Sequence, residues 1–103
     1  MNEIEKMYEN VGVKKYWNST PYGGIEEYYP PFTTEKQIEL IKWLSEVDCT
    51  VRIDFDENEW GVATENYGGY FCDNFSDALA SIINDLWQDL TEEEHKQIKE
   101  ILQ

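Results

Sequence analysis

A chain of 103 residues with a formal charge of −14 has material for one hydrophobic core, and its field disfavours direct contact with nucleic acid or anionic membranes. Aromatic residues make up 15% of it, including four Trp and seven Tyr, too many for a disordered chain. No charged-then-apolar leader opens the sequence and no apolar run approaches the ~20 residues that span a bilayer, so a cytoplasmic protein is expected.

Residues 1–103 read as a single domain. Ile4, Met7, Tyr8 and Val11 recur at helical spacing, with Asn2 placed to cap the start and Gly12 placed to end the helix. Lys14 and Lys15 follow and offset neighbouring acid. From Tyr16 to Phe32 the periodicity disappears, and Pro21, Gly23, Gly24, Pro30 and Pro31 argue for a long irregular loop carrying Trp17, Tyr22, Tyr28, Tyr29 and Phe32. Residues 1–33 are thus expected to form a helix plus an aromatic loop, lying either over one edge of the core or open to a partner.

Residues 34–90 read as a helix, hairpin, helix core. Thr34 and Gln37 have capping-box spacing, and Leu40, Ile41, Leu44 and Val47 form an apolar stripe with Trp43 and Ile38 at its flanks. The period then switches to two, with Val51, Ile53 and Phe55 alternating against polar neighbours, and Trp60, Val62 and Thr64 repeating the pattern after the turn Asp56 to Glu59. Matching inward residues pairs Phe55 with Trp60, Ile53 with Val62, and Val51 with Thr64. Asn66 to Gly69 reads as a turn and Tyr70 to Cys72 as a short third strand.

Asn74 is placed to cap a central helix running to Leu90. Its stripe is Phe75, Ala78, Leu79, Ile82, Ile83, Leu86, Trp87 and Leu90, while Asp77, Ser81, Asn84, Asp85, Gln88 and Asp89 point away. Thr91 and Glu94 form a second capping box, opening a C-terminal helix over residues 91–103. The expected fold class is α+β: a small antiparallel sheet from Cys49 to Cys72 on two helices, with the N- and C-terminal helices added at its margins.

Candidate sites are few. Asp54, Asp56, Asn58 and Glu65 have the spacing of an EF-hand calcium loop, but Glu59 stands where that loop needs glycine and the following residues alternate like a strand. No metal or cofactor is therefore expected. His95, the sole histidine, sits beside Glu92 to Glu94 and reads as a solvated helix position. Cys49 and Cys72 lack metal-type spacing and read as buried thiols. No nucleophile has a base at a recognisable spacing, so an enzyme is not expected. Between Trp43 and Glu94 the sole base is Arg52, set among more than a dozen carboxylates.

The runs Tyr28 to Ile41 (YYPPFTTEKQIELI) and Leu86 to Glu94 (LWQDLTEEE) resemble those of small acidic proteins encoded by phages and prophages of low-GC Gram-positive bacteria. The stretch Thr34 to Leu90 is also similar to the phage alpha-beta-alpha sandwich family, with Trp60-Gly61-Val62 as the nearest local match. The likeness covers about half the chain and implies a setting in the bacterial host without a site. With the charge, it leads to the expectation of a non-enzymatic accessory protein that binds a host protein with a basic surface. Such a protein could act as a DNA mimic on a nucleic-acid-binding defence factor, through Asp54, Asp56, Glu57, Glu59 and Glu65. The alternatives are a homo-oligomeric interaction or assembly module that buries the aromatic loop, with Trp17, Tyr22, Tyr28 and Tyr29, together with the last helix, and a small-ligand binder using an aromatic-lined pocket between loop and sheet.

Overall fold

The computed structural model describes residues 2–48 and 50–103. Cys49, expected as a buried thiol at the start of the sheet, lies outside them. The chain is α+β, with four helices and two separate two-stranded antiparallel sheets among the described residues, in the order α1 (Glu3–Val11), β1 (Tyr16–Ser19), β2 (Ile25–Tyr28), α2 (Thr34–Asp48), β3 (Val51–Asp56), β4 (Glu59–Thr64), α3 (Phe75–Leu86) and α4 (Glu92–Leu102). No described helix is long and apolar enough to cross a membrane.

The helix ends follow the local chemistry. Asn2 accepts from the Glu5 N–H and Gly12 closes α1 in the left-handed region. Asn74 accepts from the Asp77 N–H at 2.8 Å, and Thr91 and Glu94 form both bonds of the expected capping box. Each such cap contributes about 1 kcal/mol. At α2 the expected box is not the one formed. The Thr33 hydroxyl accepts from the Lys36 N–H, while the Gln37 amide leaves the helix end to bridge the Phe32 carbonyl and Ser76 Oγ.

The central helix is shorter than its stripe. It stops at Leu86, and Trp87–Asp89 continue as a single 3₁₀ turn before the chain bends into α4. Its middle is also buried on every side: Ala78 to Ile83 are all buried, including Ser81, which the spacing had placed outside. Three neighbours account for this. α1 packs on one side, β4 on another, and the segment after β4 presses on a third, where Gly69 approaches so closely that an added Cβ would stand 3.0 Å from the Ile82 nitrogen. Ser81 Oγ there accepts from the Tyr70 N–H at 2.9 Å, which satisfies the buried hydroxyl.

Two further expectations are corrected. The terminal helices are not marginal additions: Met7 and Tyr8 of α1 and Ile98 and Leu102 of α4 are fully or nearly fully buried in the common core. Residues 70–72 do not make a third strand. The segment 68–72 touches β4 through two isolated bridges, Trp60 with Cys72 and Ala63 with Gly68, whose registers differ by one residue, so no continuous ladder forms.

The β3–β4 hairpin has the expected register, from Val51 opposite Thr64 through Ile53 opposite Val62 to Phe55 opposite Trp60. Its two-residue turn places both Glu57 and Asn58 at positive φ, the I′ geometry that matches the strand twist. Burial is confined to the inner strand. Val62 is buried against the core, while Ile53 and Phe55 on the edge strand remain about half exposed. α2 shows the same inward shift, with Trp43 buried and donating to Gln97 Oε1 at 2.8 Å, and Val47 and Ile38 left at the rim.

The aromatic loop is the largest departure. Residues 16–28 form a second hairpin in which Tyr16 pairs with Tyr28 and Ser19 with Ile25. Its turn is closed by Thr20, whose N–H donates to the Gly24 carbonyl at 2.8 Å and whose Oγ1 accepts from the Gly24 N–H, with Gly23 supplying the positive φ. Every strand residue is exposed. The radius of gyration, 14.7 Å against about 13 Å for a compact chain of this length, fits a ribbon that stands off the body.

Candidate functional site

The β3–β4 ribbon positions the expected acidic residues unequally. Residues two apart on a strand share a face, so Asp54 and Asp56 lie together, and Glu59, directly opposite Asp56, joins them. Glu57 occupies the turn itself. Like charges across a ladder repel, which makes this tip costly to form. Asp54 is partly neutralised, because Arg52 Nε donates to its Oδ2 at 3.0 Å. Glu65 is not part of the group. It follows the opposite end of β4, roughly 20 Å of strand from the tip. The residues with calcium-loop spacing therefore diverge along a ribbon and do not converge on a point.

Other carboxylates extend the tip. Glu59 shares a shallow depression around Cys72 with Glu3, Asp73 and Asp77. Burial, and then the charges of Asp77, Glu3, Glu59 and Asp73, push the Cys72 thiol pKa up, so it stays protonated and unreactive. Sequence reading did not group these residues, because the isolated bridge from Trp60 to Cys72 brings the segments together.

Elsewhere, acid is used internally. Asp48 at the end of α2 accepts from both the backbone and side-chain N–H groups of Asn66, and hydrogen bonds from Thr64 and Asn66 hold its carboxyl below the usual range. The Tyr67 hydroxyl donates to Asp89 Oδ2 at 2.6 Å, which raises the phenol pKa. His95 is no solvated base: its ring stacks on Trp87 at 3.8 Å between centroids, and its Nε2 lies 2.9 Å from the Trp87 carbonyl. It pins α4 to the 3₁₀ turn.

The aromatic group divides as well. Tyr22 is 98% exposed at the hairpin turn and Trp17 66% exposed on β1, with Tyr28 also open. Tyr29 instead turns inward and stacks on Tyr8 at 5.0 Å, while Phe32 meets the Tyr8 ring edge-on. Two exposed residues join the arm that sequence reading did not single out: Tyr16, which packs on Tyr28 at 5.9 Å, and Ile25, which is 73% exposed. The cue for Tyr16 was its symmetric placement with Tyr28 about the Tyr22–Gly23–Gly24 turn.

At the foot of the arm lies a cleft of about 580 Å³ walled by Ile4, Tyr8, Tyr28, Tyr29, Pro30 and Phe32 and rimmed by Glu5, Lys15 and Glu27. The Lys15 ammonium rests 4.9 Å from the centre of the Tyr29 ring. Tyr8 is buried at 2% exposure, and its hydroxyl has no hydrogen-bond partner among the described residues. Comparison with protein-family models, curated proteins and solved structures finds no match to this chain.

Proposed function

We propose that this chain is a non-enzymatic accessory protein, of phage or prophage setting and acting in the host cytoplasm, that binds a host protein with a basic surface. In this reading the β1–β2 arm anchors the partner, and the acidic ribbon tip orients it. The observation that carries the reading is the arm itself: Trp17, Tyr22 and Ile25 stand in water on a hairpin whose strands bury nothing. Large rigid aromatics are the residues that dominate binding energy at protein interfaces. Each buries about 150–250 Å² when covered, so the arm can supply much of the ~800 Å² that one side of a stable interface uses.

The charge adds rate and selectivity. A field of −14 accelerates encounter with cationic surfaces and rejects acidic ones, an effect that fades with salt. Asp56, Glu57 and Glu59 at the ribbon tip are the carboxylates best placed to meet Arg and Lys side chains that otherwise hold phosphates, as a DNA mimic does. Glu65 is left out of this surface, because it lies at the other end of the ribbon.

Affinity capture from a low-GC Gram-positive lysate tests the proposal. A partner is expected at low salt, with retention reduced at high salt. Replacing Trp17 and Tyr22 together by Ala should abolish capture while changing stability by less than about 0.5 kcal/mol, as expected for exposed positions. No partner at low salt would overturn the reading, and undiminished capture by the double variant would remove the arm from it.

A further inference from the structure

We infer that the cleft at the foot of the β1–β2 arm is a docking groove for a proline-rich segment of the partner carrying an Arg or Lys at one end. This rests on the protein-binding reading above and names the partner element that the chain would recognise.

Two observations converge on that occupant. The walls come first: Tyr28, Tyr29 and Phe32, with Pro30, make an aromatic surface held in place by the buried Tyr8 ring behind it. Pyrrolidine rings pack on such faces, and a polyproline II segment enters already extended, so it loses little entropy on binding.

Charge is the second. Among the described residues, Glu5 and Glu27 stand at the rim against one cation, and that cation, Lys15, already rests on the Tyr29 ring. The rim therefore favours a positive end on the guest, and the position of Lys15 shows that this aromatic face accepts an alkylammonium group. A basic flank also agrees with the charge of the whole chain.

Fluorescence anisotropy with a short labelled peptide of prolines ending in two arginines tests the inference. Saturable binding is expected, weakened about tenfold or more when the prolines become alanines at the same charge, and by a similar factor in Tyr29→Ala. Because Tyr29 packs on Tyr8, Glu27→Lys serves as a second variant at an exposed position and should also weaken binding. Equal binding of the alanine peptide, equal binding by Tyr29→Ala and Glu27→Lys, or no saturation would each overturn the groove. If the peptide fails while capture that depends on Trp17 and Tyr22 persists, only this inference falls.

Discussion

In β3–β4 one strand lies on the central helix, and its Val62 is almost wholly excluded from water; in β1–β2 neither strand rests on the body, and all eight strand residues are exposed. The first hairpin is held by what it covers, together with a turn of favoured geometry. The second is held by its ladder, the Thr20–Gly24 clasp and the Tyr16–Tyr28 pair. A two-stranded ribbon with no buried face is marginal in water, so its large side chains act outward and not as part of the core. The difference separates a ribbon that builds the fold from one that the fold carries.

The contrast breaks most sharply under an identical insult. Val62→Asp places an unpaired charge in the core and should unfold the chain at room temperature, whereas Ile25→Asp should shift stability by less than about 0.5 kcal/mol; denaturant titration followed by circular dichroism compares the two. A smaller loss tests the close packing behind β4. Gly69→Ala forces a methyl against the α3 backbone and should cost about 1–3 kcal/mol, read as a lower urea midpoint with an unchanged slope.

Tyr8→Phe acts in the other direction. Removing a buried hydroxyl that has no partner among the described residues should stabilise the chain by about 1 kcal/mol. Burial lifts the phenol pKa from 10.0 to about 12, so the unfolded chain ionises first and stability falls as pH rises between those values. That alkaline loss should be reduced in Tyr8→Phe, as thermal melts across the range would show. The smallest effect lies at the acid end. The carboxyl of Asp48 is held below its ordinary range, so its contribution is complete above the unfolded pKa and is lost as pH falls through the folded one. Asp48→Asn should flatten the acid limb of the stability curve, and an unchanged limb would count against the Asn66 link.

Asp48 and Tyr67 also show what charge counting misses. Composition treats every carboxylate as available, yet Asp48 is tied to Asn66, Asp89 to Tyr67 and Asp54 to Arg52. Of the five acidic residues expected to act together, Asp54, Asp56, Glu57 and Glu59 share the ribbon tip, because β-pairing brings them there, and Glu65 stays apart for the same reason.

Local signals determined the helix starts at Asn2, Asn74 and Thr91, since a cap is satisfied within three residues, and they determined the β3–β4 register, since alternation records a ribbon with one dry face. Periodicity reports asymmetry of solvent. An element wet on both faces, such as β1–β2, leaves no period to read, and a stripe like that of α3 does not tell that the side opposite it is covered as well. Tertiary packing alone decided the burial of Ser81 and the inward turn of Tyr29, because each depends on segments distant in the chain.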